Sequence, residues 1–306
     1  MILYHHLRIK MKKVLLTGGT GFIGQAVVEI LLNKGYEVHL ISTKTQKQRQ
    51  GVINHQINLL DDKALGEFFA KHCFESAIYL AWYVNADYQI NDINLEWIIA
   101  TLNFIKLFKE NGGKKFLATG SMLEYDLKYG YLNEDLSPLN ASSLYASSKT
   151  ALYKALSAYC KKYDIDFKWA RIFNVYGPGE KRQRLMPSVI ISCLKGDDVK
   201  VSDCLNFQDY LYVSDMASGI VMLFESPFNG AMNICSNQPV QLRYIVNKIA
   251  ELTNFKGKIL YGSVLTKVNN NVVVGDNQKL LNLGWQAKIS LNIGLEKTIS
   301  YWKDKI

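Results

Sequence analysis

Cysteine is sparse in this chain and follows no pattern. The 306 residues include 5 cysteines: Cys73, Cys160, Cys193, Cys204 and Cys235, widely spaced and with no CxxC pair or histidine cluster. That argues against a disulfide framework, offers no visible metal site and fits reduced thiols in the cytoplasm. Long hydrophobic runs are missing too. No apolar stretch approaches the ~20 residues needed to span a bilayer, and the apolar part of the opening MILYHHLRIK is too short for a secretory signal, so no membrane partner is expected. Nor is there a basic block interleaved with stacking aromatics. The net charge of +9 comes from 36 basic and 27 acidic residues. Residues 44–49 and the pair Lys161-Lys162 read as solvated surface, so the charge suits anionic small ligands rather than nucleic acid.

What is present is enough for a sizeable core. A hydrophobic fraction of 48% is incompatible with disorder, and the length suits one large α/β domain or a domain with a smaller lobe. The first ten residues precede Met11-Lys12-Lys13, itself a natural start, and are expected to be an extension outside the fold. Val14-Leu15-Leu16-Thr17 is a short apolar run. It leads into Gly18-Gly19-Thr20-Gly21-Phe22-Ile23-Gly24, then an amphipathic segment at 25–33 and a further strand at 37–41. This order of strand, glycine turn, helix and strand predicts a dinucleotide site: Gly18 permits the turn, Gly21 lets a pyrophosphate approach, and Gly24 lets helix and strand pack. The phosphates would sit on the free N–H groups and positive end of the helix.

Strand and helix patterns keep alternating: strand at 52–58, helix at 61–71, strand at 76–81, a long helix at 91–111 closed by Gly112-Gly113, and strand at 166–172. Parallel strands need such crossovers, so residues 11–175 predict a Rossmann-type, doubly wound parallel sheet. Residues 176–306 mix helices with short strands, which the family resemblance set out next implies to be a smaller mixed α/β substrate lobe, with some segments returning to the core. A helix at 145–163 carries Tyr145 and Lys149 four residues apart, hence on one face. A phenol titrates near ~10, and the ammonium is expected to pull Tyr145 toward the range useful for acid–base chemistry.

The GxxGxxG spacing together with Tyr145-Ala146-Ser147-Ser148-Lys149 resembles the extended short-chain dehydrogenase/reductase family, the group that works on nucleotide sugars. The resemblance runs over nearly the whole chain from Met11. Phe116-Leu117-Ala118-Thr119-Gly120-Ser121 looks like the family's strand ending at the catalytic serine. Arg171-Ile172-Phe173-Asn174-Val175-Tyr176-Gly177-Pro178 is close to RxFNxYGP, Phe207 to Val213 is similar to the RDFxYV stretch, and Gly284-Trp285 matches the closing GW.

The resemblance implies a catalytic trio of Ser121, Tyr145 and Lys149. It implies cofactor contacts from Gly18, Thr20, Gly21, Phe22, Ile23 and Gly24, from Asn58 and Leu59 at the adenine, and from Leu80, Ala81, Trp82 and Phe173 around the nicotinamide. Where a carboxylate would hold the ribose of NAD, this chain has Ser42, Thr43 and Lys44. Hydroxyls with a cation suit a 2′-phosphate, which favours NADP(H) over NAD(H), unless Lys44 is only a mobile surface residue.

Substrate contacts implied are Trp82, Ser121, Met122, Asn174 and Leu185. Gln208 stands where the family has an arginine, and Arg182 or Arg184 could replace that cation or form a solvated basic loop. Asp276 and Lys279 sit in the family's DxxK element. Met122-Leu123 occupies the place of the dehydratases' Asp-Glu pair and cannot transfer protons, while Glu124 reads as an auxiliary acid or, more simply, a structural carboxylate. The expected function is therefore cytoplasmic, NADPH-dependent reduction of the C4 keto group of a nucleotide-diphosphate 4-keto-6-deoxy sugar. The alternatives are a 4-epimerase with retained NAD and, disfavoured by the intact trio, a non-catalytic dinucleotide sensor. A homodimer is expected through the long helix and the Tyr145 helix. Ile98, Ile99, Leu102 and Ile105 are its candidates, some of which must face the sheet.

Overall fold

The computed structural model describes residues 12–265 and 272–306; the expected extension, residues 1–10, lies outside them. The N-terminal half alternates β1 (Lys12–Thr17), α1 (Phe22–Asn33), β2 (Tyr36–Ser42), β3 (Val52–Gln56), α2 (Asp62–Phe69), β4 (Ser76–Tyr79), α3 (Ile93–Glu110) and β5 (Lys115–Ser121). Then come β6 (Tyr131–Leu132), α4 (Leu144–Lys162), β7 (Asp166–Ile172) and β8 (Asn174–Tyr176). The remainder is α5 (Leu185–Lys195), β9 (Val199–Lys200), β10 (Phe207–Tyr212), α6 (Val213–Glu225), β11 (Gly230–Ile234) and β12 (Pro239–Gln241), followed by α7 (Leu242–Leu252), β13 (Ile259–Leu260), β14 (Val272–Gly275), α8 (Gln278–Asn282) and α9 (Leu291–Lys303).

Seven strands form one parallel sheet in the order β11-β7-β5-β4-β1-β2-β3. Alternation along β1 divides its core in two. Val14 and Leu16 pack with Val27 and Leu31 of α1 and Ile220 and Phe224 of α6. Leu15, on the opposite face, packs with Phe69 of α2, Phe104 and Phe108 of α3, and Leu152 and Leu156 of α4. Burying each such side chain contributes roughly 1.5–3 kcal/mol relative to exposure; with both faces covered, the inner parts of β1 and β4 read as apolar runs. A second, mixed sheet of β12, β10, β14 and β6, with β8 on β10, builds the smaller lobe together with α5, α7 and α9. Asp209 fastens that lobe, its buried carboxylate accepting from the backbone N–H groups of Ser236 (2.8 Å), Asn237 (2.9 Å) and Gly275 (3.2 Å).

Two details depart from the sequence-based expectation, and the α3 candidates divide as expected. α1 begins at Phe22 rather than Gln25, because the glycine turn itself supplies the cap. β4 stops at Tyr79: Leu80 N still reaches Thr17 O (3.2 Å) and Ala81 N turns to Thr17 Oγ1 (3.2 Å), where the chain runs against the Gly18 turn. Ile105 is 1% exposed in the sheet-facing core and Leu102 packs on the same core, so neither belongs to an outer face of α3, whereas Ile99 is 63% exposed.

Candidate active site

The carboxyl ends of the parallel strands open onto a cavity of about 910 Å³. At one end the chain leaves β1 through Gly18, whose φ of +73° suits glycine and whose absent Cβ would stand 2.6 Å from Ala81 N. A Cβ on Gly24 would collide with Gly18 O. α1 then starts behind Gly21 with no side chain capping it, and Gly18, Thr20, Gly21, Phe22, Ile23 and Gly24 all line the cavity. A helix start whose N–H groups no side chain caps, beside a cradle that side chains would fill, fits a dinucleotide pyrophosphate. At the end of β2, Ser42, Thr43, Lys44 and Gln46 line the same space without a carboxylate among them. Ser42 Oγ accepts from Lys44 N (3.0 Å) and Gln46 Nε2 (3.3 Å), which closes this turn. Asn58 and Leu59 line the adjoining wall, Asn58 Oδ1 accepting from Leu60 N at 3.1 Å.

In the middle of the cavity stand Ser121, Tyr145 and Lys149. Ser121 ends β5 and caps a short 3-10 turn (Met122–Glu124), its Oγ accepting from Leu123 N at 3.2 Å. Ser143 caps α4 by accepting from Ala146 N (3.2 Å), and Tyr145 N donates to Gln89 O (3.1 Å), so the first turn carrying the phenol is fixed at both sides. Lys149 Nζ donates to Thr119 O (2.8 Å) and lies 3.7 Å from the centroid of the Trp82 ring. Trp82 in turn donates from Nε1 to Asn94 Oδ1 at 2.8 Å. Trp82 is thus both a cavity wall and a packing partner.

The expected electrostatic coupling is not what the structure has. Burial, then the neighbouring Tyr88, pushes the Tyr145 phenol up, and the Ser121 hydroxyl pulls against them without prevailing. Burial also draws Lys149 down, to about 7, with Glu124 opposing. Desolvation of both groups outweighs their mutual effect: the ammonium faces a carbonyl and an indole, 6.0 Å from the Tyr145 ring centroid. Glu124 is no free acid. It is fully buried and accepts from Ser121 N (2.7 Å), Trp169 Nε1 (3.0 Å) and Arg171 Nε (3.0 Å), and so holds the end of β5 against β7.

These contents correspond to a known group. The model of the NAD dependent epimerase/dehydratase family matches residues 14–235. The chain belongs to that family. Within it, the chain is 24% identical over 301 residues to the CDP-abequose synthase of Salmonella muenchen, covering 94% of this chain and 97% of that protein. It is 26% identical to the UDP-glucuronate 4-epimerase of Thermodesulfobacterium geofontis, covering 95% and 96%. The UDP-glucose 4-epimerase of Thermotoga maritima superposes with a TM-score of 0.86 at 22% identity, over 96% of this chain and 99% of that one.

For this epimerase/dehydratase chain, Leu80, Ala81, Phe173 and, among the substrate candidates, Trp82, Ser121, Met122, Asn174, Arg184 and Leu185 line the cavity. Arg182 and Gln208 are not brought to it. Arg182 lies over the Trp302 ring at 5.4 Å, and Gln208 Oε1 accepts from Asn174 Nδ2 at 3.2 Å. Further residues line it unforeseen, among them Tyr88, Glu180, Lys181 and Tyr210. Glu180-Lys181, directly after the Gly177-Pro178-Gly179 turn, is the only one of these with a local signal. Among the described residues no helix is long and apolar enough to cross a membrane, and no cluster of His, Cys, Asp and Glu could hold a metal ion.

Proposed function

We propose that the protein is an NADPH-dependent reductase of the C4 keto group of a nucleotide-diphosphate 4-keto-6-deoxy sugar. The observation that carries this reading is the end of β2, where hydroxyls, an amide and an ammonium line the cavity in place of a carboxylate. Such a surface suits a 2′-phosphate, and a freely exchanging NADPH pool is needed only when electrons are consumed. A nicotinamide held here would supply the hydride that C4 receives. As the carbonyl bond opens, its electron pair goes to oxygen, which takes the proton of the Tyr145 hydroxyl while Ser121 donates a hydrogen bond to the same oxygen. Burial pushes the Tyr145 phenol up, so its hydroxyl holds the proton that the reduced oxygen takes. Lys149, one helical turn along α4, is placed to hold the cofactor ribose. Met122 and Leu123 line the cavity without a proton-transferring group, so the substrate arrives already dehydrated.

The likeness to a UDP-glucuronate 4-epimerase supports a second reading, 4-epimerisation with retained NAD. Incubation with a panel of nucleotide-diphosphate 4-keto-6-deoxy sugars distinguishes the two. NADPH consumption, with a C4 hydroxyl in the product by NMR, is expected; interconversion of UDP-hexoses without added reductant would select the epimerase instead.

A further inference from the structure

Beyond the catalytic trio the cavity holds a carboxyl that this chemistry does not use. Glu180 sits between β8 and α5 and lines the cavity. Its Oε2 is buried and has no hydrogen-bond partner. A buried carboxylate oxygen without a donor is costly, and the cation that acts on it is Arg184, the residue just before α5. Burial prevails over that cation and pushes Glu180 up to about 8, so the side chain is mainly neutral at pH 7. The other groups facing this corner are Tyr210 of β10, pushed up by burial and next by Glu180, and Tyr88. The Tyr88 ring centroid is 5.7 Å from the Arg184 guanidinium and 4.9 Å from that of Tyr145. Lys181, also on the cavity wall, is engaged by its Nζ donating to Val84 O (2.8 Å) and Asn85 Oδ1 (3.1 Å).

We propose that Glu180 is a substrate-binding residue that acts as a neutral hydrogen-bond donor to the nucleotide sugar's diphosphate, beside the charge supplied by Arg184. An ionised Glu180 would compete with the diphosphate for Arg184 and repel it, whereas the protonated form leaves the guanidinium free and adds a donor. Binding is then coupled to proton uptake near and above pH 8. This inference rests on the nucleotide-sugar reading above.

The test is calorimetric titration of the full chain, as wild type, Glu180→Gln and Glu180→Leu, with UDP-, CDP-, GDP- and dTDP-glucose, whose diphosphate diesters do not titrate near neutrality. Wild-type affinity is expected to fall about tenfold between about pH 6.5 and about pH 9, following the loss of one proton. Glu180→Gln, which keeps a donor without a titrating group, should not show this fall, and its proton uptake near pH 8, read from buffers of different ionisation enthalpy, should vanish. Glu180→Leu should bind weakly at every pH. NADPH affinity, unchanged in both variants, reports that they are folded. A wild-type pH profile and proton uptake equal to those of Glu180→Gln, or wild-type affinity in Glu180→Leu, overturns the inference alone. Failure of all four sugar nucleotides to bind overturns it together with the nucleotide-sugar reading.

Discussion

At Lys149 two demands conflict. Its ammonium is 3% exposed and is met by a carbonyl and an indole rather than a carboxylate, so holding it charged opposes folding. Burial draws its folded pKa down to about 7, below the ordinary lysine value of 10.5. The unfolded chain therefore binds the extra proton between those values, and stability rises with pH across that window; the penalty is full below about pH 7 and gone above 10.5. Lys149→Met should accordingly abolish turnover while raising the melting temperature at about pH 6, with a gain that shrinks toward about pH 10. A lower melting temperature at the acid end would contradict this. Tyr145→Phe should reduce turnover by about 10²–10⁴ with cofactor affinity nearly intact, since only the proton-transferring hydroxyl goes; retention of most activity removes Tyr145 from the mechanism. That Tyr145 and Lys149 share a face is legible in the sequence because helical spacing fixes it locally. Their titration is not legible, because it depends on how much of the protein closes over them. Arg182 and Arg184 show the same limit: two residues apart in one basic loop, one stacks on Trp302 and the other lines the cavity.

At the scale of elements, β5 and β7 are joined behind the site by one buried ion pair, Glu124 with Arg171, which extends through Arg171 Nη1 to Tyr125 OH (3.0 Å) and from there to Asn233 Oδ1 (2.8 Å). Glu124→Leu leaves the guanidinium buried without its carboxylate and should cost about 3–5 kcal/mol of stability; denaturant unfolding checks this, and a loss under about 1 kcal/mol, the worth of a surface pair, would refute the buried-pair account. The end of β2 is an independent element. Ser42→Asp should weaken NADPH far more than NADH by placing a carboxylate against a 2′-phosphate, and equal effects in a fluorescence titration would remove the argument from this strand end. The strands and helices are readable because the central strands are covered on both faces and are apolar there, as in β1 and β4, whereas the edge strand β3 is largely exposed. Their ends are not: α1 starts three residues early because a glycine turn caps it, and β11 returns beside β7 from within the later part of the chain, a pairing that no local pattern encodes.

For the whole molecule, the outer side of α3 leaves Leu95 50% and Ile99 63% exposed. We predict that α3 and α4 pair with their two-fold mates in a homodimer, and that Ile99→Glu yields a monomer by light scattering at micromolar concentration; a monomeric wild type defeats this. The central claim, net reduction at C4, is tested most directly by the fate of the hydride. With NADPH deuterated on the transferring face of the nicotinamide and a nucleotide-diphosphate 4-keto-6-deoxy sugar, one deuterium should appear at C4 of the product for each NADPH oxidised. Turnover of a nucleotide hexose with no deuterium incorporated and no NADPH consumed would contradict the account, because the hydride would then be returned to the carbon from which it came.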